Sequence, residues 1–192
     1  MNTATRILVF SGSIRTGALS SKLAAAAAKE LALTADTEVT QISLADYPLP
    51  LYNGDLEEEK GVPENATRLA QIIAAHQGVF VSTPEYNHSL PPLLTNAVAW
   101  VSRLRHSPQL PYRHKVYCLG GSSDGRYGGA RAIIDLRKVL AIGWQGILIP
   151  LRVEVPMAQH AFDESGELID EGAAHALKSA MKQLVDIARR VG

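Results

Sequence analysis

The apolar positions of this chain fall into two alternating patterns. Short apolar runs, rich in β-branched and aromatic residues, are typical of buried strands. They predict five strands, at residues 7–10, 38–42, 78–82, 116–119 and 146–150. Longer segments with helical spacing of apolar residues separate and follow these runs. They predict five helices, at residues 20–33, 63–76, 91–104, 130–141 and 171–190.

Strands that alternate with helices predict an α/β fold, in which a parallel sheet is covered on both faces and the crossovers are right-handed. Five such units in 192 residues match a three-layer sandwich with a five-stranded parallel sheet of order 2-1-3-4-5. In this order a ligand binds at the carboxyl ends of strands 1 and 3. The chain has no internal repeat and no linker, so we expect residues 1–192 to form a single domain.

One connection, residues 45–61, is unusually long and contains an acidic run at residues 55–60. We interpret the acidic run as a solvated loop or as the first turn of a helix. A long irregular connection beside a ligand edge also suits a wall of the site or a subunit contact.

Charge and cysteine content narrow the function classes. The chain has 19 basic and 19 acidic residues, and this balance argues against nucleic-acid and membrane-surface partners, which both need a concentrated basic field. No apolar stretch is long enough to span a bilayer, and no signal-peptide pattern precedes the first strand. Cys118 is the one cysteine and lies in an apolar run, which favours a packed thiol. We therefore expect a soluble cytoplasmic protein.

The loop after the first predicted strand carries the chemistry of a phosphate site. Ser11, Ser13 and Ser20 offer hydroxyl donors, and Arg15 offers a planar charged fork. The following helix would add unpaired amides and the positive end of its dipole. Neither the dinucleotide nor the triphosphate glycine pattern is present, so the sequence favours a mononucleotide phosphate. Ordinary turn chemistry, with Ser20 as a helix cap, is the alternative.

Two further loops end at the same predicted edge of the sheet. The loop after strand 3 contains Pro84, Tyr86 and Asn87, which suit one edge of a planar heterocycle. The loop after strand 4 is rich in glycine over residues 120–129 and would let a ring approach the backbone closely. A phosphate loop, an aromatic and amide loop and a bare backbone loop together describe a flavin mononucleotide (FMN) site.

These residues resemble the NAD(P)H-dependent FMN reductases, a family that includes bacterial quinone and chromate reductases. The resemblance extends over nearly the whole chain, and its most specific segment is residues 84–87. The matching motifs are Gly12-Ser13-Ile14-Arg15, Thr83-Pro84-Glu85-Tyr86-Asn87 with Ser89, Pro91, Leu94, Asn96 and Ala97, and Gly125 with Gly128-Gly129. The resemblance implies a flavodoxin-like fold, non-covalent FMN and a homodimer or homotetramer.

The resemblance also implies a set of cofactor-binding residues. The phosphate would be held by the first loop, and the ring and ribityl chain by the second and third loops. The residues so predicted are Ser11, Ser13, Arg15, Ala18, Leu19 and Ser20 for the phosphate, Pro84, Glu85, Tyr86 and Asn87 for the ring and ribityl portion, and Ser122 and Ser123 for the other ring edge. Relatives often have Ser-x-Asn at residues 18–20, where this chain has Ala-Leu-Ser.

The reaction implied is a ping-pong transfer of hydride from NADPH or NADH through FMN to an acceptor. The acceptor classes are quinones, flavins, chromate and azo compounds. Because the flavin carries the chemistry, we predict no catalytic side chain. The six histidines show no metal-ligand spacing, so we predict no metal site. Two alternatives remain: an electron carrier that binds FMN without oxidising NAD(P)H, and a domain of this fold that binds no flavin.

Overall fold

The sheet is the parallel sheet that the sequence predicts. A computed structural model describes residues 4–104 and 112–191 of the chain. Its strands are β1 Thr5–Ser11, β2 Thr37–Ile42, β3 Gly78–Thr83, β4 Val116–Ser122 and β5 Ile147–Val155. They pair in parallel in the order β2-β1-β3-β4-β5, so the predicted order is confirmed.

Six α-helices are described: α1 Leu19–Ala32, α2 Gly54–Lys60, α3 Glu64–Ala75, α4 Pro92–Val101, α5 Ala130–Lys138 and α6 Glu171–Val191. The acidic run is a helix of its own, α2, so its interpretation as a solvated loop is wrong. The Asn53 side chain begins this helix by accepting from the Asp55 amide at 2.8 Å. Over residues 4–104 and 112–191, no helix combines the length and the apolar content needed to cross a membrane.

Both faces of the sheet are buried at its central strands β1, β3 and β4, because these strands are buried at nearly every position. Ile7, Val9 and Phe80 pack with α1 and α6 on one face, whereas Leu8 and Val79 pack with α3, α4 and α5 on the other. Cys118 lies in the first of these cores, and burial raises the pKa of its thiol. It is a packed apolar residue, as the sequence predicts.

Strand β5 continues past the predicted end at Pro150. Tyr117 pairs with Leu148 and Leu119 pairs with Arg152, so one residue of β4 faces three of β5. This bulge accommodates Pro150, whose ring nitrogen has no hydrogen to donate to the ladder. The Arg137 guanidinium stabilises the strand just before the bulge by donating to the Ile149 carbonyl at 2.9 Å.

The long connection is fastened to helix α4. The Asn96 side chain donates to the Pro50 carbonyl at 2.9 Å and accepts from the Tyr52 amide at 2.8 Å. The Trp100 indole donates to the same Pro50 carbonyl at 2.8 Å. The Arg103 guanidinium contacts the Glu57 carboxylate at 2.8 Å. Asn96, one of the residues that carry the resemblance, thus has a structural role in holding this connection.

A buried histidine lies between α3 and the edge strand β2. His76 Nδ1 is 2.7 Å from the Ile72 carbonyl, which can only accept, so this nitrogen carries the hydrogen. His76 Nε2 then accepts from the Thr40 hydroxyl at 2.8 Å. Burial is the main cause that lowers the pKa of His76, and the positive charges of Arg6 and Lys115 lower it further. The neutral ring is the native form.

The buried histidine makes the free energy of unfolding depend on pH. The ordinary pKa of histidine is 6.5, and the value for His76 in the folded protein is lower. As the pH falls below 6.5, the unfolded chain takes up a proton that the folded chain does not, so stability falls until the folded-state pKa is reached. We expect His76→Gln to remove a slope of up to about 1.4 kcal/mol per pH unit, measured by urea unfolding between pH 8 and pH 5.

His175, exposed on α6, provides the matched control. His175→Gln should keep the wild-type slope. Equal slopes for His76→Gln and the wild type would contradict the assignment of a neutral buried His76.

Candidate functional site

A cleft of about 470 Å³ lies at the carboxyl ends of β1, β3 and β4. Its walls are the three loops that the sequence analysis selects, and ten of the twelve predicted site residues line it. The lining residues are Ser13, Arg15, Ala18, Leu19, Ser20, Pro84, Glu85, Tyr86, Ser122, Ser123 and Asp124. Ser11 and Asn87 do not line it, and Asp124 is an addition that sequence reasoning missed. Asp124 carries no recognisable motif, so no signal in the sequence marks it.

Hydrogen bonds to serine hydroxyls hold the conformation of the first loop. Ser11 donates from its hydroxyl to Ser20 Oγ at 2.9 Å, and the Ser13 amide donates to Ser11 Oγ at 3.2 Å. The Arg15 amide donates to Ser13 Oγ at 3.2 Å. Ser11 therefore shapes the loop without lining the cleft. Ser20 does not cap α1, because the cap position is Ala18, which has no side-chain acceptor, so the helix-cap alternative for Ser20 is wrong.

The free donors of this loop face an open space. Across residues 4–104 and 112–191, no acceptor contacts the amides of Leu19 and Ser20 at the start of α1. In the same part of the chain, no carboxylate pairs with the exposed Arg15 guanidinium. Unpaired amides, the positive end of a helix dipole and a free guanidinium are groups that suit an anion.

The second loop contains a tight turn. The Tyr86 amide donates to the Ser89 carbonyl and the Ser89 amide to the Tyr86 carbonyl, both at 3.0 Å. Asn87 and His88 have φ values of 50° and 61°, and two positive values in sequence define a type I′ turn. Asparagine adopts this conformation more readily than most residues, which explains why Asn87 suits the tip of the turn.

Asn87 lies in a second cleft, of about 750 Å³, which adjoins the first. The two clefts share Glu85 and Ser123 as lining residues. On its far side the Arg131 guanidinium stacks over the Tyr127 ring at 4.3 Å.

The Glu85 carboxylate has protein partners of its own. Its Oε2 accepts from the Arg131 amide at 3.0 Å and from the Ala132 amide at 3.3 Å, in the first turn of α5. The side chain is only 10% exposed. Sequence reasoning missed these contacts, because the partners lie 46 and 47 residues away.

Two glycines in and before the third loop allow close packing against neighbouring parts of the protein. A Cβ at Gly128 would lie 2.8 Å from the backbone nitrogens of Val155 and Pro156, and a Cβ at Gly120 would lie 2.7 Å from the Phe80 ring. The expectation that this glycine run leaves backbone open to a planar ring is therefore wrong at Gly120 and Gly128. At Gly125, which lines the second cleft, a Cβ would have room.

Ser122 lines the first cleft and carries a buried, unsatisfied hydroxyl. The residue is 3% exposed, and its Oγ has no hydrogen-bond partner in the part of the chain that the structure describes. A buried hydroxyl of this kind costs free energy unless a ligand or a water bonds it. Among the same residues, no three histidine, cysteine, aspartate or glutamate side chains come together as a metal site would need.

Sequence comparison links this chain to flavin enzymes. The family of NADPH-dependent FMN reductases matches residues 5–160 of the chain. An NAD(P)H-dependent FMN reductase of Pseudomonas aeruginosa is 34% identical over 187 residues, covering 97% of this chain and 96% of that protein. A quinone reductase of Escherichia coli is 32% identical over 193 residues, covering 100% and 99%.

The fold comparison agrees with the sequence comparison. A solved structure of the flavoenzyme NAD(P)H:(acceptor) oxidoreductase of Paracoccus denitrificans superposes with a TM-score of 0.78 at 28% identity. The match covers 98% of this chain and 100% of that one. The flavodoxin-like arrangement is thus confirmed over nearly the whole length.

Removal of the Ser122 hydroxyl is expected to stabilise the ligand-free protein. Ser122→Ala should raise the free energy of unfolding by about 1 kcal/mol, because a buried hydroxyl without a partner costs roughly that much. Urea denaturation measures the change. Ser82→Ala should raise the free energy of unfolding by a similar amount, since Ser82 Oγ is also buried and unpartnered within the described residues, although it does not line the cleft. A loss of stability for Ser122→Ala would contradict the absence of a partner.

Proposed function

This chain belongs to the family of NADPH-dependent FMN reductases, and we propose that it oxidises NAD(P)H with FMN bound in the first cleft and passes the electrons to quinones. The similarity to enzymes of this class extends over nearly the whole chain. The single observation that carries the assignment of the site is the convergence of free donors at the start of α1 with the unsatisfied Ser122 hydroxyl in one cleft.

The residues of the cleft fit FMN. One end offers Arg15 and the free amides of Leu19 and Ser20, a donor set suited to a dianionic phosphate. Near the third loop, Ser122 offers a buried hydroxyl that lacks a partner in the described chain.

FMN, when bound, supplies the redox chemistry by accepting a hydride from NAD(P)H and giving two electrons to the acceptor. The protein binds and orients. Arg15 and the start of α1 would hold the phosphate, and Pro84, Tyr86, Ser122 and Ser123 would line the remainder of the cofactor site. No side chain is required as a nucleophile or as a metal ligand, so we assign no catalytic residue.

The openness of the site supports a cycle in which the donor and the acceptor use the site in turn. The cleft is open to solvent at Tyr86, whose side chain is 44% exposed, so donor and acceptor can reach the same face in turn. We assign a ping-pong cycle in which NADPH or NADH gives up its hydride and leaves as NADP+ or NAD+ before the acceptor enters. Quinones are the first acceptor class, because a quinone reductase is 32% identical over the full chain. Flavins, chromate and azo compounds are further acceptors that an open face would admit.

The decisive experiment is a visible spectrum of purified protein that has been reconstituted with FMN, desalted and kept free of oxygen. We expect a retained flavin band that bleaches on addition of NADPH and returns on addition of a quinone. A retained band that NADPH leaves unchanged would indicate the electron carrier. A colourless protein would refute the assignment of the cleft.

Two pairs of variants localise the cofactor in the same experiment. Arg15→Ala should weaken FMN binding by about 10- to 100-fold, which is the usual effect of losing a hydrogen bond to a charged group. Arg190→Ala, at an exposed residue of α6, should leave FMN binding unchanged. Ser122→Ala should also weaken it, whereas Ser82→Ala should not. Fluorescence titration of FMN measures all four dissociation constants. Equal constants within each pair would contradict the proposed placement.

We also propose a cytoplasmic homodimer or homotetramer. The resemblance to the family implies such an oligomer, and Leu51, Ile134 and Ile142, which expose between 57% and 80% of their surfaces, are candidate contact residues. The one cysteine is buried, which suits a reducing compartment. Light scattering should give two or four times the chain mass of 20.7 kDa, and a mass of one chain would refute the oligomer.

A further inference from the structure

We propose that Glu85 is a positioning residue, whose carboxylate latches the loop after β3 to the start of α5 and so sets the spacing between two walls of the FMN cleft. The latch is defined as the contacts of the Glu85 carboxylate with Arg131 and Ala132. This inference rests on the proposed function for the identity of the cofactor. It concerns a side chain that the sequence resemblance assigns to direct contact with the ring.

Helix α5 cannot be capped from its own sequence. Its cap position is Gly129, which has a φ of 81° and no side chain to accept from the first amides of the helix. A Cβ there would lie 3.0 Å from the Cα of Gly121, and the positive φ would strain any other residue. Gly128, just before it, is packed as tightly against Val155. A side-chain cap for this helix can therefore come only from elsewhere in the chain.

Glu85 supplies that cap from the neighbouring loop. Its Oε2 accepts from the amides of Arg131 and Ala132 at 3.0 and 3.3 Å, and its Oε1 lies 3.4 Å from Arg131 Nη1. A carboxylate at a helix N-terminus also gains from the helix dipole, and this gain is larger where the side chain is shielded from water. With 10% of the side chain exposed, Glu85 meets that condition.

A second contact ties the same two elements together one turn further along. The Ser89 hydroxyl donates to Asp135 Oδ2 at 2.6 Å. The turn of residues 86–89 therefore lies between two attachment points on α5. The latch and this contact hold the loop after β3 against the helix that follows the loop after β4.

The latch lies where both clefts meet. Glu85 and Ser123 line the first cleft and the second cleft alike, so the distance between these two loops sets the width of both. Arg131, which the latch engages, stacks on Tyr127 in the second cleft. Loss of the latch should change how FMN and the acceptor bind, while the chemical step of bound FMN changes less.

The test compares Glu85→Ala with Glu85→Gln in the full-length protein. Glutamine keeps the length and one acceptor oxygen for the amides of Arg131 and Ala132 but loses the charge. Glu64→Ala is the matched control, because Glu64 is an exposed carboxylate in the first turn of α3 and lines neither cleft. For each protein we would measure amide hydrogen exchange over residues 128–136 without FMN, the FMN dissociation constant, the visible circular dichroism of bound FMN, and kcat and KM for a quinone.

We expect Glu85→Ala to speed exchange at Arg131 and Ala132 and to weaken FMN binding about tenfold, on the scale of one lost helix cap. The circular dichroism of bound FMN and the KM for the quinone should change, with kcat altered less. Glu85→Gln should stay within about threefold of the wild type, because a neutral acceptor keeps most of the cap. If Glu85→Ala does not fold, a smaller change of the same sign in Glu85→Gln carries the test.

If Glu85→Ala speeds the exchange but leaves the FMN affinity, the dichroism and the KM unchanged, Glu85 only caps the helix and the proposal is overturned. Unchanged exchange would overturn the latch itself. If the wild type and Glu64→Ala bind no FMN, the proposed function fails, and the exchange measurement in the absence of FMN still decides whether the latch exists.

Discussion

The site depends on one constraint, the pairing of β1 with β3 in the centre of the sheet. Between these strands the chain passes through α1, β2, α2 and α3, yet Ser11 aligns with Ser82 in register and the Gly12 amide donates to the Ser82 carbonyl at 2.7 Å. Because both faces of the sheet are buried under helices, the loops at its carboxyl edge are the segments left to form a cleft. The phosphate end and the ring end of the proposed FMN site therefore come from loops that are distant in sequence and adjacent in space.

The loops at this edge are held by contacts that are unrelated to ligand chemistry. Serine hydroxyls brace the first loop from inside the protein, with Ser11 bonded to Ser20. The second loop ends in a type I′ turn and is latched by Glu85 to α5. In the third loop, Gly128 allows the backbone to lie directly on Val155. Walls preorganised in this way let a cofactor bind without the cost of ordering a loop.

In an enzyme that uses a flavin, the main role of a site arranged in this way is to position the cofactor. The free donors at the start of α1 suit an anion, and the Ser122 hydroxyl has no hydrogen-bond partner among the described residues. Arg15 adds a positive charge to the lining of the cleft, and Glu85 and Asp124 add negative charges.

The sequence by itself determined the five strands, their order and the three loops that meet at one edge, because hydrophobic periodicity and loop chemistry are local properties. It also pointed to most of the residues that line the cleft, through the phosphate-type loop and the segment of residues 84–87. Only the tertiary structure decided what Glu85, Gly128 and Asn96 do, because their partners lie tens of residues away and no local pattern encodes a contact at that distance. Strand β5 extends beyond Pro150 for the same reason: whether a proline ends a strand depends on whether the neighbouring strand leaves room for a bulge.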